Sequence, residues 1–326
     1  MIDQKLIHLN EALNDDLLLR TLPTALNISS KSQQTDFSIR HRVLKHKPGK
    51  HCVIDYSLEP RQTTRQGARV IGKLYRDNRG ETNFENLRLL WRASFNNRTR
   101  ERKLGMPEPL AYLPELGMMI LSVVPGRDLY SFNENDDLSA AVELTAENLG
   151  VLHGLQITVE TKSFDYFFQK QCRPGPEQAI KECPEYASLI REIMQGLQTI
   201  RQLNGITCPV HGDLNLGQVF ITREQAYFID FDGLCKSHPA LDVANFFAAV
   251  ETHFPLQSAK LFKIFIDAYL RHQPGKMLNG LSHYRAYAFF RRAMIDLRKK
   301  ANKNWREDMG KHLRIAHSHL NNSGTF

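Results

Sequence analysis

The chain has 326 residues and a mass of 37.5 kDa, with 42 % hydrophobic and 24 % charged side chains, which suits one large or two mid-sized globular domains and excludes a disordered tail or a disulfide-stapled miniprotein. Its longest apolar runs, such as Met118 to Val124 and Phe246 to Val250, are far shorter than the roughly 20 residues that cross a bilayer. The formal charge of +8 is concentrated near the C-terminus: ten Lys/Arg between Arg285 and Arg314 stand against three acids, and the rest of the chain is close to neutral.

The N-terminus, MIDQKLIHLNEALNDD, places acids where a secretory signal needs a basic start and an apolar stretch, so a cytoplasmic protein is expected. The five cysteines (Cys52, Cys172, Cys183, Cys208 and Cys235) contain no CxxC pair and read as buried small hydrophobes. The leucine-rich first 36 residues predict a helix followed by a Ser/Gln-rich connector. Ser38 to His46, a Pro48-Gly49 turn and His51 to Leu58 predict a β-hairpin, and Arg69 to Tyr75 a third strand. Asn83 to Phe95 repeats Phe84, Leu87, Leu90 and Trp91 at helical spacing. Ala111 to Leu113 and Met118 to Val124, separated by Pro114-Glu115-Leu116-Gly117, predict a second hairpin. Three strands, one helix and two strands describe an antiparallel sheet carrying one helix, closed by a linker at Val124-Pro125-Gly126.

Beyond that linker the pattern becomes helical, at Leu138 to Leu155, Glu185 to Leu203 and from about Leu256 onward, where Tyr287, Phe290, Met294 and Leu297 recur on one face. One segment between these helices differs. Val219 to Thr222 and Ala226 to Phe231 are β-like, with Arg223-Glu224-Gln225 short enough to turn one back on the other. That return brings Asp213, before the hairpin, and Asp230, at its end, to one edge, with Gln218 near both. Two carboxylates and an amide oxygen suit a hard divalent cation such as magnesium, which shares its sphere with substrate phosphates, and leave one carboxylate to receive a proton. Lys73, on the face of its strand that carries Ile71 and Tyr75, needs an anionic partner: either a phosphate or a helix glutamate, with Glu85 the first choice and Glu81 the second.

His211-Gly212-Asp213, Gln218, Ile229-Asp230-Phe231-Asp232 and Pro239-Ala240-Leu241-Asp242 together resemble the aminoglycoside phosphotransferase and choline kinase superfamily, whose pattern is HGDxxxxN, a strand ending in ID, then PxxDLA. Lys73 is similar to that family's third-strand lysine, Leu121 to Val124 with Pro125-Gly126 to its hinge, and Leu149 to His153 to its LxxLH helix end. The likeness spans about residues 37 to 250. It implies an α+β, two-lobed protein-kinase-like fold: a small antiparallel-sheet N-lobe with one main helix over residues 1–124, and a larger, mostly helical C-lobe over 125–326. It also implies an ATP- and Mg2+-dependent phosphotransferase with an alcohol group as acceptor, acting on a sugar, amino sugar, aminoglycoside or choline-like small molecule. By this likeness Asp213 is catalytic, accepting or orienting the proton of the substrate hydroxyl, Gln218 and Asp230 hold magnesium, and Lys73, Glu85, Ser122 and Val124 serve the nucleotide. His211 and Asp242 support the catalytic loop, and Asp232 either faces substrate or is a turn residue.

The sequence departs from the family in two places. Gln218 stands where the pattern has Asn, one methylene shorter with the same amide oxygen. The expected phosphate-covering turn, Lys47-Pro48-Gly49-Lys50, has one glycine, and its cations (with Arg42 and Lys45) serve either phosphates or a solvated hairpin tip. Both departures motivate a rival reading, a nucleotide-binding regulator without turnover. The ten-cation stretch reads first as a solvated helix face. Were it to line an acceptor cleft, it would repel polycations and favour an anionic or neutral hydroxyl compound. Its third use, an RNA platform, lacks interleaved aromatics or a binding motif and ranks below the others.

Overall fold

The computed structural model describes residues 3–28, 37–61, 67–96, 103–203 and 206–321. The Ser/Gln-rich connector expected after the first helix lies outside these residues over 29–36. The chain separates into two compact units, residues 1–125 and 126–326.

In the first unit, helix α1 (Asp15–Ala25) is capped by the Asn14 side chain, which accepts from the Leu17 amide. Strands β1 (Phe37–Lys47), β2 (His51–Pro60) and β3 (Ala68–Tyr75) precede helix α2 (Arg79–Asn96), and β4 (Pro109–Leu113) and β5 (Met118–Ser122) follow it. The five strands form one antiparallel sheet in the order β1-β2-β3-β5-β4. Strand alternation sorts its side chains. Ile54, Tyr56, Val70, Leu74, Met118 and Ile120 join a core with Leu6, Leu9, Leu18 and Leu22 of the N-terminal segment, and the Tyr56 hydroxyl donates to the Ala12 carbonyl at 2.6 Å. Lys73, between Gly72 and Leu74, therefore belongs to the opposite face of β3. The sequence predicted the helix at the N-terminus; that its leucines cover a sheet is a tertiary fact that helical spacing does not carry.

The β1–β2 turn is fastened by that same segment. Gly49 sits at φ +65°, and Asp3 accepts from its amide at 2.8 Å while meeting His46 at 2.9 Å. The Gly49 amide, assisted by His46 and opposed by partial burial, holds the Asp3 carboxyl at about 2, below its ordinary 3.8. A carboxylate depressed on folding stabilises above its unfolded pKa and loses that contribution as pH falls through its folded one. The turn is thus expected to loosen between pH 4 and 2. Amide exchange at Gly49 checks this: Asp3→Ala should remove its protection at neutral pH, and equal protection in the variant would refute the fastening.

The second unit begins with the short strand β6 (Arg127–Asp128) and continues through helices α3 (Leu138–His153), α4 (Phe164–Gln171), α5 (Pro176–Glu182) and α6 (Ala187–Gln202). Four short strands follow: β7 (Cys208–Val210), β8 (Val219–Ile221), β9 (Ala226–Phe228) and β10 (Cys235–Ser237). With β6 they form a β6-β8-β9 sheet and a β7–β10 pair. Helices α7 (Ala240–His253), α8 (Ser258–Leu270), α9 (Leu281–Lys299) and α10 (Trp305–Asn321) complete the unit. Helix α7 is buried on every side from Ala240 to Val250 and forms its centre, with α9 packed on it and α10 on α9. All five cysteines are buried free thiols; burial pushes Cys172 and Cys235 up to about 12, so they act as apolar filler. No helix of the described residues is long and apolar enough to cross a membrane.

Candidate active site

The candidate site of the second unit is built on the β8–β9 hairpin. Its second strand ends at Phe228, not at Phe231 as the sequence suggested; Phe231–Gly233 is a 3-10 turn. The reason is the backbone at Asp230, a non-glycine residue at φ +67°, which breaks the extended run and costs about 1–2 kcal/mol. Ile229 joins the two arms. Its amide donates to the Gln218 carbonyl at 3.0 Å, and its carbonyl accepts from His211 Nε2 at 2.9 Å. The loop carrying Asp213 is therefore tied to the turn carrying Asp230 and Asp232.

Two glycines let those segments meet. At Gly212, with φ +80°, a Cβ would lie 2.6 Å from the Gly233 carbonyl, and a Cβ at Gly233 would lie 2.6 Å from that of His211. Behind the loop, Asp242 at the start of α7 is wholly buried and accepts from the His211 amide at 2.6 Å and the Gly212 amide at 2.8 Å. His153 approaches the same carboxylate at 3.3 Å, with its other ring nitrogen 2.7 Å from the Tyr269 hydroxyl. His238 stacks on Tyr284 and holds the Ala240 amide; burial, aided by nearby His153, pulls its imidazole down to about 4, so it is neutral and structural. In front, Gln171 of α4 donates to the Gly212 carbonyl at 3.0 Å and accepts from Tyr287 at 2.9 Å.

Asp213 itself forms an ion pair with Arg291 of α9, which also donates to Asn245 Oδ1 at 3.1 Å. Burial pulls the Arg291 guanidinium down, but its charge partners, the Asp213 carboxylate foremost, outweigh it. The basic stretch is therefore not uniformly a solvated face. Arg285, Arg291 and Arg292 turn inward on α9, and burial beside Arg291 brings Arg292 down to about 10; Arg298, Lys299 and Lys300 are exposed. Sequence reading counted Arg291 only within a charge run. Its signal was position: it falls in the apolar row between Tyr287 and Met294, where an arginine needs an acid.

Gln218, the expected metal ligand, turns its amide oxygen onto its own turn. Its Oε1 accepts from the Asn215 amide at 3.1 Å and from Asn215 Nδ2 at 2.9 Å, a capping box in which the longer side chain folds back on its own turn. Asn215 also escaped notice, although Asn followed three residues later by Gln is that box's signature. Among the described residues no group of three or more His, Cys, Asp or Glu is placed to hold a metal. Asp230 and Gln218 offer a carboxylate and an amide oxygen, donor types that suit magnesium beside phosphate and water oxygens, and in this arrangement the Gln218 oxygen is already engaged by Asn215.

In the first unit Lys73 is 5 % exposed, paired in register with Val53 and Met119, its Nζ 5.3 Å from the Tyr75 ring centroid. Glu85, its expected partner, meets Arg88 at 3.1 Å, three residues along the same helix, with 52 % of its side chain exposed. Ser122 ends β5, with its amide and hydroxyl both bonded to the Glu108 backbone; Val124 lies just beyond, half-buried. Arg42 pairs with Asp55, and Lys45, Lys47 and Lys50 at the hairpin tip are exposed.

Residues 61–290 match the sequence profile described as the phosphotransferase enzyme family, well over half of the chain. The chain belongs to this family. No curated protein matches it significantly in sequence. Among solved structures, a choline kinase from Cryptosporidium parvum superposes with TM-score 0.63 at 13 % identity, covering 94 % of this chain and 96 % of that one. A spectinomycin phosphotransferase in complex with ADP and spectinomycin gives 0.59 at 12 % identity, covering 95 % and 98 %. An amicoumacin kinase in complex with AMP-PNP and Ca2+ gives 0.62 at 12 %, covering 95 % of each chain. The fold is thus the α+β kinase-like one that the sequence resemblance implied.

Proposed function

We propose that this phosphotransferase moves the γ-phosphoryl group of ATP to a hydroxyl of a small-molecule acceptor and requires magnesium. The observation that carries the reading is Ile229, bonded on one side to the turn of Gln218 and on the other to His211, which ties the Asp213 loop to Asp230 in a chain of this family. Adenine nucleotides in two structures of the same fold support ATP as donor. In this reading the first unit serves the nucleotide: Lys73 binds its phosphates, and Ser122 with Val124 lies along its base. The second unit carries the chemistry. Asp213 orients the acceptor hydroxyl and takes its proton; Asp242 and His211 hold the loop; Gln218 stiffens it through Asn215. Magnesium, when bound through Asp230, would neutralise charge on the transferring group.

The test is turnover of purified protein with ATP and magnesium on a broad panel of sugars, amino sugars, aminoglycosides and choline, with products read by mass spectrometry. Asp230→Asn should raise the magnesium needed for half-maximal rate at least roughly tenfold, because a carboxylate ligand is lost. Gln218→Ala should leave that requirement within about threefold while costing about 1 kcal/mol of stability, the usual worth of a helix cap. The opposite ranking would return Gln218 to the metal.

One alternative has observations in its favour. Arg291 engages the Asp213 carboxylate, and Gln218's oxygen is committed to Asn215; a nucleotide-binding regulator would keep both in place. It would bind nucleotide with no turnover above an Asp213→Ala control.

A further inference from the structure

Beside Asp213, within the second unit, lies a cavity of about 220 Å³ whose charged lining is Lys162, Lys170, Arg291 and Arg298 against Asp213 and Asp232. Four cations and two acids leave it positive, and one of the acids, Asp213, is the residue the phosphotransfer reading already employs. Arg291 spends its charge on Asp213, and Lys162 meets Glu160 at 3.2 Å. Arg298 has no ion pair among the described residues, and the hydrogen bond of Lys170 goes to the Tyr166 phenol at 3.1 Å. Tyr166 senses both lysines: Lys162 Nζ sits 4.7 Å from its ring centroid. Burial pushes its phenol up, yet Lys170 and Lys162 outweigh burial and bring it below its ordinary value, as a locally positive site demands.

Size narrows the ligand as charge does. The cavity is smaller than the ~300–1,000 Å³ of drug-sized sites, which suits one sugar ring or a short polyol and not a multi-ring compound. A second cavity of about 320 Å³ shares Arg291 and Ile295 with it and adds Arg292 and Lys299 against Asp296, so a polycation approaching from that side meets the same sign.

We propose that the acceptor of this phosphotransferase is a small polyhydroxyl compound bearing a carboxylate or phosphate, bound through that anion by Lys170 and Arg298, with Arg291 shared between the anion and Asp213. The inference rests on the phosphotransfer reading and fixes its acceptor class. The acceptor oxygen forms the new O–P bond as the bond from the γ-phosphorus to the bridging oxygen breaks; the hydroxyl proton passes to Asp213, and ADP leaves with the electron pair of the broken bond. An anionic group near Arg291 competes with Asp213 for the guanidinium, so its arrival frees the carboxylate for the hydroxyl. Choline and aminoglycosides, being cationic, gain none of this.

Matched probes test it. Gluconate, glucuronate and glucose 6-phosphate are compared with glucose and with glucosamine, first by binding to the full-length protein (calorimetry or thermal shift), then as acceptors with ATP and magnesium. The acidic probes should bind at least roughly tenfold more tightly than glucose, the increment of one to two charge-assisted hydrogen bonds, and glucosamine more weakly than glucose. The double variant Lys170→Glu with Arg298→Glu should erase the acidic preference, whereas Arg314→Glu, at an exposed position of α10, should leave it intact. Equal or tighter binding of glucose or glucosamine, or an acidic preference surviving the double variant, overturns the anionic acceptor and leaves phosphotransfer standing. Acidic probes that bind with the predicted preference while no compound of any charge is phosphorylated would refute phosphotransfer and leave an anion site.

Discussion

Replacing Asp213 by asparagine is expected to lower kcat roughly 10³-fold while leaving nucleotide affinity unchanged and the fold intact. The size follows from the role: a positioned general base contributes about 10²–10⁴, and asparagine can orient a hydroxyl but not take its proton. The fold survives because the substituted amide still offers an oxygen to Arg291, which keeps its bond to Asn245. Asp213→Ala is the harsher change. It removes the partner of a guanidinium only 19 % exposed, yet Asp213 is itself 44 % exposed. The cost should therefore stay near ~1–2 kcal/mol, below the ~3–5 kcal/mol of a broken, fully buried pair. Steady-state turnover, nucleotide titration and thermal melts on both variants check the three parts separately. Asp213→Asn turning over at the wild-type rate would remove this residue from the chemistry.

What the sequence made legible was local and periodic. The Pro48-Gly49 turn, the alternation around it and the spacing of Leu87, Leu90 and Trp91 predicted β1, β2 and α2 because each is specified by residues a few positions apart. The HGD and ID motifs could be aligned for the same reason: a short hairpin brings its two ends together whatever surrounds it. Three things were not legible. The direction of an amide was one: Gln218 faces Asn215 because its extra methylene lets it reach back, which the Asn215-to-Gln218 spacing signals but composition does not rank. Pairing across distant elements was another. Arg291 finds Asp213 78 positions away. The third was the end of β9, decided by a single positive φ at Asp230. Of these only the Arg291 pair is a tertiary contact, which local preference does not carry.

Asp242→Asn is expected to cost more stability than any other conservative change near the site. Both carboxylate oxygens are used on backbone donors, His211 N at 2.6 Å and Gly212 N at 2.8 Å, in a side chain with no exposure. Asparagine keeps one acceptor and turns an NH2 group toward one of those amides, donor against donor, with the buried amide left unsatisfied. An orphaned buried donor costs about 1–3 kcal/mol, and the charge assistance to the surviving bond is lost as well. A total of about 3 kcal/mol in a unit of this size lowers Tm by roughly 6–12 °C. Asp242→Ala orphans both amides and removes the partner of His153, so it should be worse still. The two measurements that decide are the melt and amide exchange at positions 211 and 212, which should lose protection while the α9–α10 pair keeps its own. Since Asp242 grips the backbone immediately before Asp213, kcat should fall with the lost order even below the melting transition, with nucleotide affinity retained. An Asp242→Asn protein with unaltered Tm and intact protection at His211 would mean that the loop is held from the front, by Gln171 and Tyr287, and not from α7.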